Sequence, residues 1–166
     1  MARPQERTAR VPPRWFVVLA WRAHRALFRV SRGRRGLWPP RRGRWGALRL
    51  TAVGRRSGQE RSVILMYIED GRDLVTLAMN GWSAAEPAWW LNLQAQPRAR
   101  VQLTDGVRDV VARAATGPER ERLWQRLRAL DDDLDAYARR RPGRTAVVVL
   151  SPPPASDHGR RAGSGT

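Results

Sequence analysis

Three apolar segments separated by short glycine-containing turns constrain the fold of this chain most strongly. The first two, LRLTAV and SVILMYI, are joined by the loop GRRSGQER, and a turn at Asp70-Gly71 leads to the third, LVTLAM. Glycine turns between short β-prone segments are typical of antiparallel hairpins. The order of strand, loop, strand, turn and strand therefore predicts a meander of neighbouring antiparallel strands.

The rest of the chain continues this pattern, with a second hairpin signal at Asp105-Gly106. A short helix is expected over 87–95, a second begins in a capping-box pattern at Thr116-Gly117-Pro118-Glu119, and a third surrounds Leu134 to Arg140. Strands are expected near 45–53, 61–68, 73–79, 98–104, 107–115 and 145–150. Hairpin-joined strands with a few short helices predict a mainly β, α+β fold built on a small antiparallel barrel.

The net charge of +17 is distributed unevenly along the 166 residues, and every basic residue is arginine. Residues 1–49 hold fourteen arginines and one acid, so they carry +13, whereas the remaining residues carry +4. We therefore divide the chain into a basic N-terminal extension at 1–44, a folded domain at 45–150 and a disordered Pro/Gly/Ser tail at 151–166. Within the extension, 33–44 is expected to be a proline-rich linker.

Residues 14–32 have the pattern of an amphipathic helix, with an apolar stripe opposite a row of arginines. Such a helix binds an anionic membrane surface or packs on its own domain, and both alternatives stay open. The longest strongly apolar run has seven residues, from Trp15 to Trp21, whereas a spanning helix needs about twenty. A cytoplasmic protein is expected, with peripheral attachment to the inner face of the plasma membrane as the second possibility.

The residue inventory excludes several kinds of chemistry. The chain has no cysteine, and its two histidines, His24 and His158, lie in the extension and the tail. Disulfides, thiolate metal sites and a histidine-based triad in the folded domain are excluded, and no metal site is expected.

The loop at 54–61, which we call the arginine loop, is the candidate anion-binding site. Gly54 and Gly58 permit backbone angles that could turn amide N–H groups toward one point. Arg55, Arg56 and Arg61 add planar cations that suit phosphate and carboxylate oxygens. A basic hairpin turn facing water is the alternative reading of the same residues.

Taken together, three motifs resemble the deazaflavin-dependent nitroreductase and quinone reductase family. These motifs are GR-(R/K)-SG-x-x-R, the Asn80-Gly81 pair after the third strand, and P-x-W-(W/Y)-x-N-L-x-A-x-P. The resemblance covers about Leu48 to Leu150 and implies a small split β-barrel, similar to FMN-binding barrels, that uses the 5-deazaflavin coenzyme F-420.

The resemblance also implies roles for individual residues. The tail of the cofactor would bind the arginine loop, through Gly54, Arg55, Arg56, Ser57, Gly58 and Arg61. The deazaflavin ring would lie beside Met79, Asn80, Ala88 and Trp89, with backbone amides at the strand end reaching ring oxygens. One of Trp89 and Trp90 is expected to be an ordinary core residue, and Asn92 is expected to brace local backbone.

Two departures from the family pattern concern the acceptor. Some members carry lysine where this chain has Asn80, and nitroimidazole-reducing members have several tyrosines where this chain has only Tyr137. Tyr137 is therefore the candidate for the acceptor pocket, and no catalytic residue is assigned. The acid run Asp131, Asp132 and Asp133 is interpreted as a solvated helix end rather than part of that pocket.

The predicted function is hydride transfer from reduced F-420 to a quinone-like or nitro-type acceptor, with a menaquinone-like molecule as one example. This prediction rests on the cofactor supplying the reactive atom. Alternatives are an FMN-binding reductase of the same fold, a non-catalytic cofactor carrier, and a basic module that binds nucleic acid. Nucleic acid is disfavoured because the charge lies outside the domain, and the sequence leaves the oligomeric state open.

Overall fold

The structure is a computed structural model that describes residues 36–79 and 84–154. Its elements in chain order are β1 Gly46–Val53, β2 Glu60–Asp70, β3 Asp73–Leu77, α1 Ala88–Ala95, β4 Arg98–Leu103, β5 Gly106–Ala114, α2 Gly117–Arg128, α3 Leu134–Arg139 and β6 Val147–Ser151. Each expected strand and helix of the folded domain is present within a few residues of its predicted bounds.

The six strands form a closed barrel in the order β1-β2-β3-β6-β5-β4, with antiparallel pairing throughout. Pairs such as Leu50↔Val63 and Leu48↔Leu65 lie on the inner face, where they join the barrel core. The intervening residues Arg49 and Thr51 lie on the outer face. The small split-barrel fold predicted from the sequence is confirmed.

Two apolar clusters fill the molecule, one inside the barrel and one outside. Helix α1 closes one end of the inner cluster by inserting Trp90 and Leu93. The outer cluster joins β3 and β6 to Leu123 and Leu127 of α2 and to Leu134 at the start of α3. The position of α1 is therefore fixed by the barrel core itself.

The strand directions bring several connections to one end of the barrel, which we call the upper end. There β1, β3 and β5 finish and β2, β4 and β6 begin, so the arginine loop, Met79 and the segment before β6 meet at this end. Strand β3 pairs only with the last residues of β2, and the Thr76 hydroxyl donates to the Met66 carbonyl at 2.7 Å where the pairing ends. The β1–β2 hairpin consequently extends past β3 and carries the arginine loop at its tip.

The structure places part of the predicted linker against the barrel. Trp38 forms an antiparallel bridge with Ala47, and its indole N–H donates to the Trp45 carbonyl at 2.9 Å. A Cβ added at Gly46 would lie 2.7 Å from Pro40 Cδ and 2.5 Å from the Tyr67 ring, so this contact requires glycine. This part of the predicted linker, within residues 36–44, thus contacts the first strand of the barrel.

The predicted capping box at Thr116 is wrong. Thr116 is the residue before α2, but its side chain makes no capping hydrogen bond. Glu119, the other half of the pattern, instead pairs with both terminal nitrogens of Arg113 at 2.6 and 2.7 Å. Because a nearby arginine offers charge-assisted bonds, Glu119 turns toward β5 rather than toward the helix start.

No helix in the described parts of the chain is both long enough and apolar enough to cross a membrane. The predicted helix at 14–32 and most of the predicted tail lie outside the described residues.

Candidate functional site

The backbone of the arginine loop is held by its own hydrogen bonds. Gly54 N–H donates to the Gln59 carbonyl at 2.8 Å, and the amides of Ser57 and Gly58 both donate to the Gly54 carbonyl, at 3.2 and 2.8 Å. Gly58 has a φ of 66°, which favours glycine, whereas Gly54 is required for close packing. The predicted convergence of these loop amides on an anion is therefore wrong, because those N–H groups already have partners inside the hairpin.

The arginine side chains remain as the anion-binding groups of the loop. Arg55, Arg56 and Arg61 are exposed, and no carboxylate of the described residues forms an ion pair with them. Glu60, the nearest acid in sequence, pairs instead with Arg100 on β4. Positive charge at the tip of the hairpin is thus left for a partner outside the described protein.

Arg61 lies on the inner side of the hairpin, since it pairs with Ala52, a member of the barrel core. Its Cγ would be 3.5 Å from a Cβ added at Gly54, so the arginine stem crosses over that glycine. Glu60 is its neighbour in a strand and points to the opposite face. The register therefore separates the Arg61 cation from the adjacent carboxylate.

Helix α1 is tied to the arginine loop by one side chain. Asn92 Oδ1 accepts the Arg55 backbone N–H at 3.1 Å and the Arg55 guanidinium at 3.3 Å. Asn92 is 6% exposed, so it is a structural brace, as the sequence predicts. Trp89 lies three residues earlier in α1, so it shares the helix face that carries Asn92.

The two tryptophans of α1 occupy different environments. Trp90 is buried in the barrel core, whereas Trp89 is partly buried and packs at the edge of that core. Their ring centroids are 6.2 Å apart with the planes tilted by 60°. The expectation that one tryptophan is ordinary core is met by Trp90. Trp89, together with the exposed Ala88, is left as the candidate wall of a ring site.

At the end of β3 the chain makes a tight turn. Ala78 N–H donates to the Ala146 carbonyl at 2.9 Å, and Met79 N–H donates to the Leu77 carbonyl at 2.8 Å. Met79 is partly buried against the outer cluster. A bond between residues two apart has poor geometry, and the Met79 amide would have to exchange it to reach a ring oxygen. Asn80, the other predicted ring contact, lies outside the described residues.

A buried arginine that the sequence did not single out lies beside this turn. Arg141 Nη1 donates to the Ala78 carbonyl at 2.5 Å, and Nη2 donates to Glu86 Oε1 at 3.1 Å. The Arg141 side chain is 2% exposed. The sequence does not distinguish Arg141 from the other thirty-one arginines, because it is the last of three consecutive arginines and is followed by a proline.

The comparison with protein families identifies the chain. The family model described as F420H(2)-dependent quinone reductase matches residues 20–152. The chain belongs to this family. The match runs through the arginine loop, α1 and the strand ends described above. The family, the oxidoreductase class and the F-420 cofactor predicted from the sequence agree with this membership.

Individual relatives support the same assignment. Two proteins of Mycobacterium tuberculosis carry the name F420H(2)-dependent quinone reductase. One is 34% identical over 84 residues, which are 51% of this chain and 66% of the relative. The other is 31% identical over 106 residues, which are 63% of this chain and 70% of the relative. The chain thus spans about two thirds of the length of these relatives.

A solved structure described as an F420-H2-dependent reductase has the same fold. It is 28% identical, aligns with a TM-score of 0.57, and covers 63% of this chain and 93% of that chain. The alignment supports the split barrel as the fold of this chain. The names of the two mycobacterial relatives refer to quinones. The predicted nitro-type acceptor therefore stays a prediction.

Tyr137, the candidate acceptor residue of this family member, lies on α3. Its hydroxyl donates to Asp133 Oδ2 at 3.4 Å, and burial together with the Asp133 and Asp131 carboxylates raises the pKa of Tyr137. Asp131 Oδ1 accepts the Asp133 N–H at 3.1 Å. These acids organise the start of α3, in agreement with the helix-end interpretation.

Proposed function

We propose that this protein transfers a hydride from reduced coenzyme F-420 to a quinone-like acceptor. The observation that carries the proposal is a group of exposed arginines, without ion-pair partners among the described residues, next to a helix that presents Trp89. A cofactor with an anionic tail and a flat ring needs these two surfaces side by side. Family membership supplies the cofactor and the class of acceptor.

The arginine side chains would bind the phosphate and carboxylates of the tail. Each charge-assisted contact contributes about 1.5–3 kcal/mol before screening. Gly54, Ser57 and Gly58 would set the loop shape rather than contact the anion through their amides, since those amides are already bonded.

Met79, Ala88 and Trp89 would form the protein side of the ring site. When bound, reduced F-420 supplies the hydride, so the protein need only orient the ring and keep water from it. Trp89 packs at the edge of the inner cluster and Met79 packs against the outer cluster, so each offers partly buried apolar surface near the upper end of the barrel. A quinone that accepts the hydride becomes a hydroquinone anion and would take its proton from solvent, so no nucleophile is required of the described residues.

The acceptor side is proposed to include Tyr137. A phenol has one O–H to donate, so the Tyr137 hydroxyl would exchange its 3.4 Å bond to Asp133 Oδ2 for a bond to a carbonyl oxygen of the acceptor. We further propose that the basic segment 14–32 binds an anionic membrane surface, where menaquinone-like acceptors reside. The support for this attachment is its sequence pattern of an apolar stripe opposite arginines.

Purification of the full chain from a host that makes both F-420 and FMN tests the cofactor. Mass spectrometry of the bound molecule should identify F-420, and the reduced form should lose its electrons to menadione, a soluble quinone. A nitroimidazole tested in parallel separates quinone from nitro reduction. Bound FMN with no turnover of reduced F-420 would overturn the proposal in favour of an FMN-binding reductase.

A further inference from the structure

Arg141 joins three segments of chain at the upper end of the barrel. Its guanidinium contacts the Ala78 carbonyl after β3, the Thr145 hydroxyl before β6 at 3.3 Å, and Glu86 before α1. Ala78 precedes Met79, and Glu86 lies two residues before Ala88. One buried side chain thus fixes both chain segments that carry the candidate ring wall.

The pair with Glu86 is not arranged for greatest stability. Among the described residues, Arg141 Nε and Glu86 Oε2 are both buried without a hydrogen-bond partner, so the two groups meet through one bond instead of two. The Arg141 side chain is 2% exposed and the Glu86 side chain 36% exposed, so the cost of removing charge from water falls mainly on the arginine. Unpaired buried polar atoms call for an explanation other than stability.

A second buried arginine offers a natural comparison. Arg120 on α2 donates to the Thr145 carbonyl at 3.2 Å and lies over the Trp124 ring at 5.1 Å. It therefore holds the same segment before β6 that Arg141 holds. Its described contacts include neither Ala78 nor Glu86, so it acts on the scaffold without touching the candidate ring wall.

We infer that Arg141 and Glu86 are positioning residues that set the distance between Met79 and the start of α1, and so the width of the ring site. This inference rests on the proposed function for its ligand, but the geometry of the pair stands without it. The pair fixes the Ala78 carbonyl on one side and Glu86 on the other, with Trp89 three residues beyond Glu86.

The test replaces the pair with apolar residues, using Glu86→Leu together with Arg141→Met. Arg120→Met is the control, because it removes a buried arginine of α2 that contacts the same segment before β6. Three quantities are measured on the full chain: the unfolding midpoint, F-420 affinity by fluorescence titration, and amide hydrogen exchange at Trp90 and Leu91, whose N–H groups donate to the Pro87 carbonyl at 3.0 and 3.1 Å.

The pair variant should unfold within a few degrees of the control, bind F-420 at least tenfold more weakly, and exchange the Trp90 and Leu91 amides at least tenfold faster. Arg141→Lys with Glu86 intact should recover part of the affinity, since an ammonium can still reach Glu86. Equal affinity and equal exchange in the pair variant and in Arg120→Met would overturn the inference. If the unaltered protein fails to bind F-420, the proposed function fails, and the exchange rates alone decide the role of the pair.

Discussion

A single oxygen atom of Asn92 holds both the main chain and the side chain of Arg55. Oδ1 accepts the backbone N–H at 3.1 Å and Nη1 at 3.3 Å, across 37 residues of sequence. The loop that carries the cations and the helix that carries Trp89 therefore move together. A cofactor that spans both surfaces, as proposed above, would meet a preformed site rather than two independent ones.

Asn92→Ala should separate these two surfaces. Two part-buried hydrogen bonds to Arg55 are lost, and the exposed Arg55 donors can turn to water, so we expect the free energy of unfolding to fall by about 0.5–1.5 kcal/mol. F-420 affinity measured by fluorescence titration should fall as well. Gln94→Ala on the exposed side of α1 is the matched control and should change neither quantity. An unchanged affinity in a folded Asn92→Ala protein would show that the brace does not organise the site.

Arg55→Ala combined with Arg61→Ala should weaken F-420 binding by at least tenfold and leave the barrel folded. The reason is loss of two charge-assisted contacts at exposed positions. The effect should shrink with added salt, because screening weakens the contacts in the unaltered protein. Arg72→Ala with Arg108→Ala removes the same charge near the opposite end of the barrel and serves as the control. Similar losses in both double variants would indicate only a general field of positive charge.

Trp89→Ala should lower F-420 affinity or turnover more than Trp124→Ala does. Trp89 packs at the edge of the barrel core beside the site, whereas Trp124 packs outside the barrel and donates to Asp135 Oδ1 at 2.9 Å. Each truncation of a large aromatic is expected to cost stability, by about 3 kcal/mol or less for these partly buried rings. Affinity is therefore compared only after both variants are shown to be folded. The reverse order of effects would move the ring site away from α1.

Gly54→Ala should distort the arginine loop although alanine is the smallest replacement. Its Cβ would lie 3.0 Å from Ser57 Oγ and 3.1 Å from the Gln59 carbonyl, which already accepts the Gly54 N–H. We expect a loss of about 1–3 kcal/mol in unfolding free energy and a several-fold loss of F-420 affinity as Arg61 shifts. Gly143→Ala, where an added Cβ meets nothing within 4 Å, is the control. Wild-type affinity in Gly54→Ala would mean that the loop shape is unimportant.

The free energy of unfolding should fall at acid pH because the Asp70 carboxylate becomes protonated. Hydrogen bonds from Arg122, together with the charges of Arg122 and Arg126, hold the pKa of the Asp70 carboxyl below its usual value. The unfolded chain binds this proton near pH 3.9, so the stabilisation is complete above that pH and is lost as the pH falls toward the lower folded pKa. Asp70→Asn should cost about 1–2 kcal/mol at pH 7 and less at pH 2, measured by denaturant unfolding. Asp109→Asn, at an exposed position on β5, is the control and should leave the free energy of unfolding at pH 7 unchanged.

The strands could be predicted because their local pattern and their tertiary environment agree. Alternation along β1 and the turns at Gly71 and Gly106 encode hairpins without long-range information. The brace role of Asn92 could be predicted because the residue follows two aromatics in a short helix near a loop. The sequence predicts that one of Trp89 and Trp90 is a core residue, but it does not show which one. That choice depends on which face of α1 meets the barrel.

The hydrogen-bond partners of the loop could not be predicted. Whether an amide at Ser57 or Gly58 faces an anion or the Gly54 carbonyl depends on the closure of the hairpin, which residue type alone does not determine. Arg141 was missed for a related reason. Burial of a guanidinium requires a carbonyl and a carboxylate brought from 63 and 55 residues away, and neither distance is visible in the sequence. Glu119 is the opposite case. Its local sequence predicts a capping box, but the ion pair with Arg113 on β5 forms instead.

The bridge between Trp38 and Ala47 has a consequence for the geometry of any surface attachment. It fixes the chain at the start of β1, while the arginine loop follows the end of the same strand. Eight residues of extended chain separate these points by about 25 Å. A molecule tethered through the residues before Gly36 would pivot about the end of the barrel that lies opposite the upper end, where the cofactor is proposed to bind. Under the proposed attachment to a membrane, the length of chain before Gly36 would therefore set how closely the arginine loop can approach the lipid surface.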